Sequence, residues 1–269
     1  MNFRVENITP EKARKYLEGN LINRSVKERR VLAYAEDMKK GAWQLNGESI
    51  RFDKNGRLID GQHRLLAVIK AQVAVPMVIT TDVDEDITIF DRGVCRSVTD
   101  SLQLEGVDRS IANSDCVAIA KLYYTCKGKI VISDSTVKDF IIKHKESLIF
   151  ARSITSNRGG TASGRISIKN ASIGLALMTA FEQNFDKNKL LDWASIVKDG
   201  FMESLYDSAA IVFRNDLISG AVNYTSGSTS RIKATYQAEK SIQDFCDRKK
   251  RRQSYVNWDS PVYSNYREE

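Results

Sequence analysis

The chain has little of what metal and redox sites are usually built from. Among its 269 residues only two are histidines, His63 and His144. The four cysteines, Cys95, Cys116, Cys126 and Cys246, form no Cys-x-x-Cys pair, and none lies near His144. Spacing therefore argues against a structural zinc site. It gives no Ser-His-Asp or Cys-His arrangement to argue for either. Scattered cysteines behind an opening too polar for a signal peptide, MNFRVENITPEKARKYL, point to a reducing cytoplasm. No apolar run approaches the roughly 18 residues of a membrane helix, which sets the membrane aside as a partner. With 42% hydrophobic and 28% charged residues the chain has ordinary globular composition, so large-scale disorder is not expected.

Positive charge is in excess, with a formal net charge of +7. A balance of this size favours polyanion partners without selecting one. The densest cluster is Arg248, Lys249, Lys250, Arg251 and Arg252, in "DRKKRR", with Tyr255 and Trp258 just beyond. Such a run can contact a phosphate backbone through counterion release, with an aromatic side chain to stack on an exposed base. It can equally be a solvated helix end whose cations favour the dipole. Both readings stay open.

Local signals divide the chain. Thr9-Pro10-Glu11 reads as an N-cap, a first-turn proline and a first-turn acid, opening a helix that ends near Gly19. Ser25 and Glu28 have capping-box spacing before a second helix that carries Val31, Ala35 and Met38 on one face. That helix stops at Lys39-Lys40-Gly41. "SIRFD", "KNG" and "RLID" read as strand, turn and strand. A helix with Leu65, Leu66, Val68 and Ile69 follows, then the strand "PMVIT". From about residue 108 the texture is helical. "SNRGGTASGR" and "YTSGSTSR" read as loops, and "RIKATYQAEKSIQDFCDRKKRR" as a long basic final helix. The expectation is an α+β domain over 1–107 and a mostly α-helical domain over 108–269.

The chemistry concentrates at "RLIDGQHRLLAVIKA", residues 57–71. A helix start presents amides without helix partners and a partial positive charge. Gly61 lets a ligand approach the backbone, and Gln62, His63 and Arg64 follow it. Arg64 offers a bidentate guanidinium, and His63 a donor whose charge changes near neutral pH. This set suits phosphate oxygens. Asp60 can cap the helix, hold Mg²⁺ or accept a proton. The plainer reading is a capped turn with solvated His63 and Arg64.

"DGQHRL" between a strand and a helix resembles the phosphate-binding motif of the ParB/sulfiredoxin superfamily, in particular phage and bacterial ParB-like "DGQHR" proteins. "NLINRS" at 20–25 resembles the upstream loop of such proteins, and "IFDRGVCRSVTDSL" their downstream segment. The resemblance covers about residues 7–107. It implies an N-terminal domain of ParB/sulfiredoxin-like fold that binds ATP or CTP with Mg²⁺. By that resemblance Gly61, Gln62, His63 and Arg64 hold phosphates. Asn23 and Arg24 approach from upstream, and Asp91, Arg96 and Ser97 from downstream. His63 and Arg64 then serve catalysis, with Glu48 and Asp60 as the carboxylates placed to orient a nucleophile or Mg²⁺.

Two departures matter. Sulfiredoxin needs a cysteine where this chain has Gln62, which cannot form a thiolate, so sulfinic-acid repair is excluded. Segregation ParB has Glu and Arg where this chain has Gln62 and His63, and no helix-turn-helix is recognisable next in sequence.

The functional expectation is NTP hydrolysis or phosphoryl transfer linked to DNA or nucleotide metabolism, in the cytoplasm of a bacterium or a phage-infected host. The rival is a non-catalytic DNA-binding or regulatory protein that uses the basic cluster. A nuclease ranks third. "GGTASGRI" has Walker-like glycines, Gly159 and Gly164, but Arg165 and Ile166 stand where Lys and Ser or Thr are needed, so it reads as a loop. The acidic run Asp82, Asp84, Glu85, Asp86 lacks the glycine and closing glutamate of a calcium loop. It reads as a loop leading into a helix.

Overall fold

The computed structural model describes residues 1–18, 26–45, 47–83, 97–155, 164–225 and 227–263. The fold is mixed α+β. By contacts the chain divides into two compact units, Met1–Cys95 with Val131–Thr136, and Arg96–Ile130 with Val137–Glu269.

The first unit carries a four-stranded sheet of order β1-β4-β2-β3. Its strands are β1 (Asn2–Ile8), β2 (Ser49–Asp53), β3 (Leu58–Asp60) and β4 (Val75–Val83). β1 and β4 are antiparallel, with Val5 opposite Val78. β2 and β3 form a hairpin closed by Asp53, whose carboxylate accepts the Asn55 and Arg57 amides at 2.8 and 2.7 Å. β2 runs parallel to β4, so the chain between them must cross over. The crossover contains β3 and α3 (Gln62–Ala71). With α1 (Pro10–Leu17) and α2 (Glu28–Lys39), α3 packs Ala13, Val31, Ala35, Met38, Leu65 and Val68 against Ile8, Ile50, Met77 and Ile79. Val131–Thr136 straps across α2: Ser133 N–H donates to Glu36 at 3.2 Å, and the Ser135 hydroxyl donates to Asp37.

The second unit is helical: α4 (Val98–Leu104), α5 (Ser114–Cys126), α6 (Asp134–Lys143, whose first turn belongs to the first unit), α7 (Lys145–Thr155), α8 (Ala171–Glu182), α9 (Lys187–Asp199), α10 (Ser208–Ile218) and α11 (Gly227–Cys246). Every residue of α8 from Ser172 to Ala180 is buried, so α8 is the hub on which α5, α7 and α11 pack. The apolar sequence of α8 on all sides requires this.

Several predicted elements stand where the sequence puts them. Thr9 caps α1, accepting the Lys12 amide at 3.3 Å. α2 stops at Lys39-Lys40-Gly41, with Gly41 at φ +69°. Others are corrected. α2 begins at Glu28 with Lys27 as its N-cap, so Glu28 opens the helix instead of taking the third helical position that the predicted capping box gives it, and Ser25 itself lies outside the described residues. Around His144 the helical texture resolves into two helices, α6 and α7. α11 begins inside the predicted "YTSGSTSR" loop, at Gly227, and stops at Cys246. The cluster Arg248–Arg252 is therefore not helical. Arg248 sits at φ +56°, and Lys249 N–H closes back on the Asp244 carbonyl at 2.8 Å, which ends the helix. Asp82 is not in a loop but in β4. Asp84, Glu85 and Asp86, and "GGTASGRI" up to Ser163, lie outside the described residues.

Candidate functional site

The turn begins where β3 ends. Asp60 pairs with Arg51 of β2, and Gly61 then takes φ +107°, ψ 3°. That left-handed conformation favours glycine. Space demands glycine as well: a Cβ at 61 would lie 2.4 Å from Ile50 Cδ1 and 3.2 Å from Ile50 Cα. Ile50 is fully buried under the turn. Sheet and turn are thus held at contact distance where α3 starts.

The first intrahelical bond of α3 joins Leu65 N–H to the Gly61 carbonyl at 3.0 Å, so the amides of Gln62, His63 and Arg64 have no partner within the helix. Among the described residues, no side chain caps this N-terminus. Asp60 folds over the junction instead. Its Oδ1 accepts the Gly61 N–H at 2.7 Å, and its Oδ2 accepts from Arg64 Nη2 at 3.0 Å. Asp60 therefore holds the turn and Arg64 together. The Arg64 side chain is only 12% exposed, against 47% for Asp60. Among the described residues, Arg64 Nη1 is buried without a hydrogen-bond partner. A buried guanidinium nitrogen with no acceptor is costly, and an anion would supply that acceptor.

His63 has a role that spacing does not reveal. Its Nε2 accepts the Lys27 backbone N–H at 3.0 Å. An accepting Nε2 carries no proton, so in this arrangement the imidazole is neutral, protonated at Nδ1. Lys27 is the N-cap of α2. His63 thus ties the turn to the start of α2.

The remaining predicted residues divide. Glu48 is exposed and immediately precedes β2, two residues before Ile50, so the chain brings it to the same end of the sheet as the turn. Ser97 belongs to the second unit and caps α4: its hydroxyl donates to Asp100 at 2.7 Å and accepts the Asp100 amide at 3.1 Å. Asn23, Arg24, Asp91 and Arg96 lie outside the described residues. In the basic cluster, Lys249 pairs with Asp247 at 2.8 Å. Arg251 is built into the second unit: it pairs with Asp244 at 3.3 Å, stacks 3.9 Å from the buried Tyr255 ring and donates its amide to Ser208. Arg248 and Lys250 lie over the Tyr206 ring at 4.7 and 5.4 Å, and Arg252 is exposed.

Among the described residues, no group of three or more His, Cys, Asp or Glu is placed to hold a metal ion. No described helix is long and apolar enough to cross a membrane. Compared with known proteins, the chain matches no family model, no curated protein and no solved structure.

Proposed function

We propose that this protein binds a nucleoside triphosphate, ATP or CTP, at the Gly61–Arg64 turn of a ParB/sulfiredoxin-like domain, and hydrolyses it or transfers its γ-phosphoryl group. The observation that carries the reading is the buried Nη1 of Arg64, unpartnered among the described residues, beside a helix start whose first amides have no helix partner. Both donor sets call for an anion, and Gly61 keeps the approach to the backbone clear of a side chain.

Within that reading each residue has a part. Gln62, His63 and Arg64 offer backbone donors to phosphate oxygens, and Gly61, whose own amide is held by Asp60, lets them come close. Arg64 supplies the guanidinium, oriented by Asp60, and stabilises charge as it develops in transfer. His63 acts through Lys27 as a positioning residue. Mg²⁺ would come with the phosphates, since such sites need only one or two protein carboxylates. Asp60 and Glu48 are the carboxylates at hand, and Asp60 would then have to share its oxygens with Gly61 and Arg64. The ion would neutralise phosphate charge.

The test is calorimetric titration of ATP, CTP, GTP and UTP with Mg²⁺ into wild type and Arg64→Ala, followed by product analysis. Saturable binding of one nucleotide, weakened at least tenfold in the variant, supports the site. Phosphate or phosphoryl product separates an enzyme from a binding switch. Folded wild type that binds no nucleotide overturns the proposal.

The DNA-binding reading has one observation in its favour: Arg248 and Lys250 converge on the part-exposed Tyr206 ring, a cation–aromatic surface of the kind that takes a phosphate and a base. Its test is a DNA affinity whose salt dependence flattens in Lys250→Ala and Arg252→Ala.

A further inference from the structure

β1 is an outer strand of the sheet, and among the described residues no strand pairs with its other edge. It is seven residues long, and its register with β4 runs unbroken from Asn2 to Ile8. It holds no proline, bulge or lysine, the features that keep an exposed edge from recruiting another strand. Such an edge offers a row of backbone donors and acceptors that an added strand can meet.

The two faces of β1 differ, because side chains alternate along a strand. Arg4 and Glu6 turn toward α1: the Tyr16 hydroxyl donates to Glu6 at 2.8 Å, and Lys12 pairs with the same carboxylate. Phe3 and Val5 therefore project from the opposite face, where they are 65% and 61% exposed. Val5 stands opposite Val78 of β4, so the apolar stripe continues into the sheet.

The order of the side chains selects the occupant of this edge. Consider β1 paired antiparallel with a second β1 about a two-fold axis through Val5. Val5 then lies opposite the partner's Val5, Phe3 opposite the partner's Asn7, and Arg4 opposite the partner's Glu6. Arg4 already meets Glu6 of its own strand at 3.4 Å. In this register the four charges form a square in which every neighbour has the opposite sign, so neither existing pair has to be given up. An axis through Arg4 would oppose two arginines, and one through Glu6 two glutamates, and like charges directly opposite are destabilising. An axis between residues would set a side chain of one face against one of the other, which the pleat forbids.

We propose that β1 is a homodimerisation edge, at which two copies of this chain join β1 to β1 in the antiparallel register centred on Val5. The sheet continues from one copy into the next, and Phe3 of each copy packs diagonally on the partner's Val5. A two-fold contact of this kind closes on itself, so it covers the edge without building a fibre. One seven-residue edge is smaller than a standard interface of about 1,600 Å², so the dimer is weak and depends on concentration. The inference does not depend on nucleotide binding at the Gly61 turn.

The test is sedimentation equilibrium of the full chain over a wide concentration range. The mass of wild type should rise from one chain toward two. Val5→Lys sets two ammonium groups face to face at the axis and should weaken association at least tenfold. Val5 is exposed, so the variant should keep the wild-type circular dichroism and melting temperature. Val5→Cys reads the register without adding charge. Residues directly opposite in an antiparallel pair have Cα atoms about 4.5–5.5 Å apart, within disulfide reach, so mild oxidation should link two copies through position 5. Asn7→Cys, also exposed but opposite the partner's Phe3, should not link. The proposal fails if folded wild type stays monomeric, if folded Val5→Lys associates as wild type does, or if Asn7→Cys links as readily as Val5→Cys.

Discussion

Ile50 lies so close beneath Gly61 that any side chain at position 61 must displace it: an added Cβ would meet Ile50 Cδ1 at 2.4 Å and Ile50 Cα at 3.2 Å. The terminal methyl can move only into a packed core, since Ile50 is fully buried, and the Cα cannot move without the strand. The left-handed φ adds a cost that space alone cannot relieve. Gly61→Ala should destabilise the first unit by about 1–3 kcal/mol, read as a lower melting temperature. Ile50→Val, which removes Cδ1, should recover only part of that loss in the double variant. A fully additive cycle would show that the contact contributes nothing.

Asp60 bridges the Gly61 amide and the Arg64 guanidinium, and this makes a separable prediction. Asp60→Asn should weaken nucleotide binding while changing stability by less than about 1 kcal/mol, because the Asp60 side chain is half exposed. Arg64→Lys should not rescue Arg64→Ala. An ammonium cannot keep the Asp60 contact and offer a second planar donor at once. If Asp60→Asn binds nucleotide as wild type does, Asp60 is only a turn residue.

How legible this was depends on where each signal resides. The Thr9 cap, the β2–β3 hairpin and the helix after Gly61 rest on neighbours in sequence, and the chain announces them. β1 does not announce itself. Phe3 and Val5 alternate as a strand should, yet they are 65% and 61% exposed, and only Ile8 of that strand reaches the core. The apolar period therefore faces outward, against the usual sense of the pattern. The His63–Lys27 bond joins residues 36 apart and involves a backbone amide, which leaves no trace in sequence spacing. The end of α11 is set by tertiary contacts. "QDFCDRKKRR" continues a helical composition, but Arg251 is drawn back to Asp244 and Tyr255.

His144 and Glu182 give a pH dependence. His144 Nδ1 lies 2.6 Å from Glu182 Oε1, and the Ser147 hydroxyl donates to the same oxygen at 2.5 Å. Burial pushes the Glu182 carboxyl up, but the hydrogen bonds from His144 and Ser147 outweigh it and hold the carboxyl below its ordinary range. A depressed folded value means stability that is present above the unfolded value, about 4.3, and lost as pH falls through the folded one. Glu182→Gln should cost about 1 kcal/mol at neutral pH, a modest figure because the side chain is one-third exposed. The cost should shrink as wild type loses the same interaction below pH 4. Melting temperatures across pH 3–7 check this, and parallel wild-type and variant curves would remove Glu182 as the cause.

Arg251 decides how any DNA experiment on the basic cluster must be built. Asp244 is 3% exposed and accepts from Lys240 at 2.7 Å, from Arg251 at 3.3 Å and from the Tyr255 hydroxyl at 3.4 Å. Tyr255 is fully buried, and its amide donates to Asp216 at 2.7 Å. Residues 251–255 are thus pinned to α10 and α11 by a buried polar network. Removing one member leaves its partners desolvated and unpaired. Arg251→Ala should cost about 2–3 kcal/mol, and Asp244→Ala somewhat more, since it strands two cations. Neutralising Lys249, Lys250, Arg251 and Arg252 together would therefore mix a loss of stability with any loss of DNA contact. Lys250→Ala with Arg252→Ala avoids this, because neither side chain has a partner inside that network, and the melting temperature should hold within about 2 °C. A flatter salt dependence of DNA affinity in that stable double variant would assign the cluster a nucleic-acid contact. An unchanged affinity would leave these cations to Tyr206 and to solvent.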